Sequence, residues 1–231
     1  MNLILTMAGK YSRFREEGFK IPKYLLPWGN RTILSETLHL LLAHRNFEQV
    51  FLIVNQADQD YFGHVKKIMH HYRIDLNNLI VVGDTTGQAN TAYLGLKQIS
   101  KLAGTVVFHN IDTLLYGRDL LTMQQSLEQY EGYIDVFSSH NHGFSYVLVE
   151  NNTVKAIAEK VLVSDLATSG LYGFASASLY LEYYQHENYI SEVYKKMLAE
   201  GYAIGVSPTY TEKQTVVLGT PSEYLAHSRA L

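Results

Sequence analysis

Apolar residues in the first half of the chain fall in short continuous runs: Leu3–Met7, Val50–Val54, Leu79–Val82 and Thr105–His109, each closed by a turn signal or a polar cluster. Runs of this length, apolar throughout rather than at alternate positions, predict strands covered on both faces. Between them the period changes. Ile33–Ala43 is leucine-rich with Thr37 and His39 on its other face. Tyr61–Tyr72 and Thr91–Leu102 place Val65, Ile68 and Met69, then Tyr93, Leu96 and Ile99, at helical spacing. Buried strands alternating with amphipathic helices predict a parallel sheet with helices on both faces. The second half is different. Tyr133–Ser139, Phe144–Glu150, Val154–Ala158 and Leu171–Ala175 are short β runs, and Glu150-Asn151-Asn152-Thr153 reads as a hairpin turn. Helices at Leu179–Gln185 and Ser191–Glu200, strands near Ala203–Ser207 and Thr215–Leu218, and a helix after Pro221 complete the pattern. No Pro/Gly/Ser-rich linker, long-period repeat or low-complexity stretch divides the chain. One α/β domain over residues 1–231 is expected, its mostly parallel central sheet carrying a small mixed β extension.

Composition narrows the function. With 47% hydrophobic and 18% charged residues, a packed core is expected and disorder is excluded. Cysteine is absent, which removes disulfide frameworks, Cys-ligated zinc, iron–sulfur clusters and thiol catalysis together. No apolar run approaches the ~20 residues of a membrane-spanning helix. The opening Asn2–Gly9 is too short for a secretory core and runs into a basic loop, so a cytoplasmic protein is expected. The net charge of −3 argues against a nucleic-acid binder that relies on phosphate contacts. The charge is uneven, however. Residues 1–31 hold six bases (Lys10, Arg13, Arg15, Lys20, Lys23, Arg31) and two acids (Glu16, Glu17), a net of +4; the other 200 hold 13 bases and 20 acids, a net of −7. A basic opening on an acidic body points to a small anionic ligand.

In open α/β sheets ligands bind beyond the carboxyl ends of the strands, and that rule picks out four loops. The first is Ala8-Gly9-Lys10-Tyr11-Ser12-Arg13-Phe14, continuing to Pro22-Lys23. Here Gly9 permits a tight turn, and successive N–H groups with Arg and Lys can cradle a polyphosphate. It is neither the dinucleotide fingerprint, since the next glycine is Gly18, nor a Walker A loop; a plain solvated basic loop is the alternative. The second, Gly83 to Ala89, offers Gly87 and Gln88 at a helix start, where an amide both donates and accepts toward a base edge. The competing reading is an ordinary helix cap by Thr85 or Thr86. The third, Asn110-Ile111-Asp112-Thr113, places an aspartate at a strand end, where it can ligate Mg²⁺ facing phosphates or simply cap a turn. The fourth is Glu159-Lys160, which alone reads as an exposed surface pair.

In this order the pieces resemble the sugar-phosphate nucleotidyltransferase family, and most of all its small capsule- and surface-polysaccharide-associated members. The resemblance runs through Met7-Ala8-Gly9, Ser12-Arg13-Phe14, Pro22-Lys23-Tyr24-Leu25-Leu26-Pro27, Gly29-Asn30, Ile33, Gly87-Gln88-Ala89, Asn110-Ile111-Asp112, Glu159-Lys160, Ser164 to Tyr172 and Gly219-Thr220-Pro221. It implies a single-domain, GT-A-like (Rossmann-like) fold. It also implies an Mg²⁺-dependent enzyme that joins a nucleoside triphosphate to a phosphorylated sugar or similar phosphomonoester and releases pyrophosphate. On that likeness Ala8, Gly9, Ser12 and Arg13 stand at the triphosphate, Lys23 at the reacting α-phosphate, and Gly87 and Gln88 at the base. Asp112 stands at the Mg²⁺, Lys160 at the acceptor phosphate, and Glu159, Gly170 and Ser145 around the acceptor. The resemblance leaves room for a homo-oligomer and implies no nucleic-acid or membrane partner.

Two departures stand out. Tyr11 occupies the place of a family glycine; its ring is expected to crowd the phosphates, and the loop to take another path or to bind differently. Val217 occupies the place of a frequent second metal-binding aspartate, which leaves Asp112 as the expected protein carboxylate on the metal. Other chemistry-bearing patterns read as structure. His70-His71 and His140-Asn141-His142 lack a third ligand nearby and read as a helix end and a turn. Gly143-Phe144-Ser145 lacks the closing glycine of a nucleophile elbow. Tyr180, Tyr183 and Tyr184 read as core, with a dimer face as a further use. A GT-A glycosyltransferase, which would carry Asp-x-Asp, and a catalytically weak nucleotide-binding relative remain the alternatives.

Overall fold

A computed structural model describes residues 1–44, 46–100 and 102–228. The chain runs β1 (Asn2–Thr6), α1 (Ser12–Glu16), a 3-10 turn at Lys23–Leu25, β2 (Pro27–Trp28), β3 (Arg31–Thr32), α2 (Ile33–Leu42), β4 (Gln49–Asn55), α3 (Phe62–His71), β5 (Leu79–Val82), α4 (Gln88–Gln98) and β6 (Val106–Asn110). It continues through β7 (Thr113–Leu115), α5 (Leu120–Leu127), β8 (Gly132–Ser138), β9 (Ser145–Glu150), β10 (Thr153–Glu159), β11 (Leu166–Phe174), α6 (Ala177–Tyr183), α7 (Ile190–Ala199), β12 (Ile204–Val206), β13 (Thr215–Val217) and α8 (Pro221–Ser228).

Among the described residues one nine-stranded sheet, ordered β5-β4-β1-β6-β11-β8-β12-β10-β9, runs through both halves of the chain. The first four strands are parallel. The continuous apolar runs divide by alternation. In β1, Leu3 and Leu5 face Leu34, Leu38 and Leu41 of α2, whereas Ile4 faces Ala89, Ala92 and Leu96 of α4. Burial on both faces is why the three successive positions Leu3, Ile4 and Leu5 are all apolar. The mixed part is continuous with the parallel one. β11 runs antiparallel to β6, and the ring β11-β8-β12-β10-β9 closes where Tyr146 of β9 meets Ala167 of β11. The hairpin between β9 and β10 turns at Asn151 and Asn152, both left-handed with φ 51 and 59°, which matches the strands' right-handed twist.

The structure departs from the pattern at several elements. α4 starts three residues earlier than its period suggests, at Gln88, and ends at Gln98; Lys101, inside the expected segment, lies outside the described residues. Neither threonine caps it: Thr85 pairs with Thr91 through their hydroxyls (2.9 Å), and the N-cap residue is Gly87. β11 begins at Leu166, because Leu166, Ala167 and Thr168 pair with β8 ahead of a register shift, although Ala167 and Thr168 lack the large apolar side chains of a strand pattern. Tyr180, Tyr183 and Tyr184 are buried in the α6 face of the core, and His70-His71 close α3.

Candidate active site

A cleft of about 750 Å³ opens beyond the carboxyl ends of β1, β5 and β6, facing the ring of β9, β10 and β11. It is lined by the loop after β1 (Ala8, Gly9, Ser12, Arg13), by Lys23, by the turn before α4 (Gly87, Gln88) and by Asp112 after β6. Ser145, Glu159, Lys160 and Gly170 line it from the opposite wall. The twelve residues singled out in the sequence therefore share one cleft. Thr168 and Ser169, from the stretch Ser164 to Tyr172, line it as well, as do Tyr189 and Glu223, which no sequence pattern marked. Glu223 accepts from the Thr220 N–H (2.8 Å) in the first turn of α8, so its chemistry is masked as a helix cap.

The loop after β1 keeps the left-handed turn a glycine would make. Tyr11 has φ 51° and ψ 35°, so the expected alternative path is not taken. The ring lines the cleft and meets Tyr24 edge-on at 5.9 Å, and its hydroxyl donates to the Met7 carbonyl. These contacts offset the roughly 1–2 kcal/mol that left-handed backbone costs a side-chain-bearing residue. Ser12 and Arg13 consequently begin a short helix, α1, rather than standing in a loop.

Lys23 is 7% exposed, on a 3-10 turn fixed by the N–H of Leu26 donating to the Lys23 carbonyl. Its ammonium reaches Asp112 Oδ2 at 3.2 Å and lies 5.4 Å from the centre of the Phe14 ring. Burial works to raise the Asp112 pKa, but the Lys23 charge and hydrogen bond outweigh it and hold the carboxyl below its ordinary value. The carboxylate is thus ionised, with 38% of its side chain exposed to the cleft. The Asp112 loop is tied at its back by the Leu218 N–H donating to the Asp112 carbonyl (2.7 Å), where β13 pairs with β7. Behind it, His109 is fully buried and pairs through Nε2 with the Thr113 carbonyl (2.8 Å). Burial brings its pKa down to about 4, so the ring is neutral. Gly170 sits at φ 89° with the Asn110 side chain beneath it; a Cβ would fall 2.9 Å from Asn110 Nδ2, so glycine is required twice over.

The turn before α4 is equally confined: a Cβ on Gly87 would fall 2.3 Å from the Asn188 carbonyl oxygen. Gln88 Oε1 is buried without a hydrogen-bond partner among the described residues, an acceptor that a donor on a bound ligand would satisfy. On the far wall, Glu159 Oε2 accepts from the Ser145 hydroxyl and lies 3.4 Å from that of Ser191. Lys160, at φ 56°, donates from Nζ to the Tyr189 hydroxyl (2.9 Å), and this bond raises the ammonium's pKa above the ordinary lysine value. Among the described residues, four bases of the basic opening meet carboxylates: Lys10–Asp84 (2.8 Å), Arg15–Asp58 (3.7 Å), Lys23–Asp112 (3.2 Å) and Arg31–Glu36 (2.7 Å). Arg13 meets none.

A Rossmann-like sheet whose carboxyl ends carry a basic phosphate-sized loop, an ionised aspartate and a second, facing lysine is that of a nucleotidyltransferase. The chain belongs to the IspD family, 2-C-methyl-D-erythritol 4-phosphate cytidylyltransferase, whose family model matches residues 1–141. A protein of that description from Buchnera aphidicola subsp. Acyrthosiphon pisum (strain APS) is 30% identical over 153 residues. The match covers 66% of this chain but only 56% of the Buchnera protein, so the chain spans little more than half of that relative. Over almost the whole length the chain is similar to the nucleoside-diphosphate-sugar pyrophosphorylase of Vibrio cholerae RC9, with TM-score 0.85, 25% identity, and 98% of this chain and 99% of that one covered. The inositol-1-phosphate CTP transferase of T. maritima shares the fold at TM-score 0.73 and 15% identity, over 96% of this chain and 90% of its own. The stretch matched by the family model ends before Ser145, leaving Ser145, Glu159, Lys160 and Gly170 outside it. Among the described residues no helix is long and apolar enough to cross a membrane.

Proposed function

We propose that this chain transfers a nucleoside monophosphate from a nucleoside triphosphate to a phosphorylated sugar or similar polyhydroxylated phosphomonoester, releasing pyrophosphate. The activated product would feed surface-polysaccharide assembly from the cytoplasm. The observation that carries the reading is the meeting of Lys23 and Asp112 at 3.2 Å on the floor of the cleft, with Lys160 on the opposite wall of the same space. One phosphate can thus be held on each side of a single reacting centre.

The chemistry needs little more than that. The nucleophile is a phosphate oxygen of the acceptor, already ionised, and requires no general base. It attacks the α-phosphorus; a P–O bond forms as the bond to pyrophosphate breaks. The protein must bring two mutually repelling anions together and spread the charge that develops. In this reading Gly9, Ser12 and Arg13 cradle the triphosphate, Lys23 neutralises the α-phosphate, and Lys160 holds the acceptor phosphate. Gly87 and Gln88 bind the base, with the unpartnered Gln88 amide oxygen taking a donor from its edge. Glu159, fixed by the hydroxyls of Ser145 and Ser191, accepts from hydroxyls of the acceptor, and Gly170 leaves room for its ring.

Among the described residues no group of three or more His, Asp or Glu side chains could cage a metal. Asp112, ionised and partly open to the cleft, nevertheless suits Mg²⁺, which commonly takes one or two carboxylates and fills its other positions with phosphate oxygens and water. When bound there, the ion supplies charge neutralisation on the triphosphate. Release of pyrophosphate from a panel of nucleoside triphosphates, each offered with a panel of sugar phosphates and Mg²⁺, tests the reading. A transferase needs the free phosphate. A glycosyltransferase ignores it, and a sensor binds nucleotide without turnover.

A further inference from the structure

One short segment ahead of α7 touches both walls of the cleft. The Asn188 carbonyl accepts from the Ala89 N–H at 3.2 Å and abuts Gly87, on the side of the cleft that begins α4. The next residue, Tyr189, accepts from Lys160 Nζ at 2.9 Å, and the ammonium lies 5.1 Å from the centre of its ring. Tyr189 is itself the N-cap residue of α7, and its N–H donates to the Glu192 side chain (3.4 Å).

The two lysines of the cleft are held by different chemistry. Lys23 is buried and matched by a carboxylate, whereas Lys160 is exposed and meets no carboxylate within 4.0 Å among the described residues. Its neighbour Glu159 is engaged instead by the hydroxyls of Ser145 and Ser191. A phenol is a partner of a particular kind. It fixes one of the three ammonium donors and shields one face with its ring, yet cancels none of the charge. Two N–H groups stay directed to an anion, and the phenol keeps its own proton to donate to a second oxygen of that anion.

We propose that Tyr189 is the positioning residue for Lys160, aiming its ammonium at the acceptor phosphate, and that the Asn188–Tyr189 segment ties this aim to the turn at Gly87. The proposal rests on the reading of Lys160 as the holder of the acceptor phosphate. It predicts that phosphate affinity on this wall depends on the Tyr189 hydroxyl and acts through Lys160 alone.

The test uses the full chain and inorganic phosphate as the probe, titrated calorimetrically without nucleotide. Lys160→Ala is expected to weaken phosphate binding at least about tenfold. Tyr189→Phe, which keeps the ring and the cap, is expected to weaken it about three- to tenfold, the range of a single lost hydrogen bond. In the Lys160→Ala background the same Tyr189→Phe change is expected to do nothing further, a non-additivity that general loosening of the fold does not produce. Gly87→Ala, which displaces Asn188, is expected to weaken phosphate binding although no nucleotide is present. Unchanged binding in Lys160→Ala overturns the reading of Lys160 and this proposal with it. Weakened binding in Lys160→Ala but not in Tyr189→Phe overturns only the positioning role. An equal effect of Tyr189→Phe in both backgrounds shows that the tyrosine does not act through the lysine, and unaltered binding in Gly87→Ala removes the link to the turn.

Discussion

Lys23 and Asp112 lie 89 residues apart in sequence and 3.2 Å apart in space, so removing either strands the other at the floor of the cleft. Lys23→Ala and Asp112→Ala are each expected to lower pyrophosphate release by at least about a hundredfold, the scale of losing one group that stabilises developing charge. Lys23→Ala should also lower stability by about 1 kcal/mol, because the pair is only partly screened by solvent. Adding Asp112→Asn should recover part of that stability and none of the activity; full turnover in either single variant would end the mechanism. His109 makes a pH prediction. Its folded pKa of about 4 lies below the ~6.5 of an unfolded histidine, so as pH falls the unfolded chain takes up the proton first. Stability is therefore complete above pH ~6.5 and lost between ~6.5 and ~4, by an amount on the order of 3 kcal/mol. Urea midpoints across that window should flatten in His109→Gln; an equally steep loss would assign the effect to other groups. The twelve candidate residues were legible through the order of their motifs and its likeness to a known family; taken singly, a strand-end aspartate reads as a turn cap and Glu159-Lys160 as a surface pair. Tyr189 was not: it is one of 18 tyrosines, and its partner lies 29 residues earlier in the chain.

At the scale of elements, the loop that carries Asp112 is braced from behind by a charge network. Arg118, following β7, donates to Asp135 of β8 (2.9 Å), to the Gln214 carbonyl (2.9 Å) and to the Thr215 hydroxyl of β13 (2.6 Å), and its guanidinium stacks 3.9 Å from the Tyr210 ring centre. Asp135 also accepts from Ser169, one residue before Gly170, so both walls of the cleft share one buried anchor. Both charged groups are almost wholly buried, and breaking such a pair leaves an uncompensated charge. Arg118→Met is expected to destabilise the fold by about 3–5 kcal/mol, measured by urea unfolding, and Arg118→Met with Asp135→Leu by clearly less. A smaller loss in the single variant than in the double would contradict that account. Nothing in the sequence singled out Arg118, since its partners come from strands brought together only by the sheet. Element legibility followed length and side-chain size. The long apolar runs and most helices were read within a few residues, whereas α5 was not read, α1 has five residues, too few to show a helical period, and most of the first half of β11 lacks large apolar side chains.

At the scale of the molecule, the family match covers residues 1–141, the part that carries the basic loop, Lys23, Gly87, Gln88 and Asp112. The expectation is a nucleotide response separable from the acceptor. A nucleoside triphosphate with Mg²⁺ at about a hundred times its Kd should stabilise the native state by about 2.7 kcal/mol. For a chain of this size that is a rise in Tm of roughly 5–11 °C. Thermal shift across the common triphosphates measures it, and no shift with any of them would remove nucleotide binding from the reading. The sheet also has unequal ends. On one side β9 pairs with β10 and returns to β11, closing a ring; on the other lies β5, Leu79–Val82. Gln98 Nε2 donates to the Val81 carbonyl (3.0 Å), blocking part of that margin. Among the described residues the open margin of the large sheet is therefore four residues long, and a proline at Val81, whose backbone faces away from β4, is where resistance to fibre growth would be engineered.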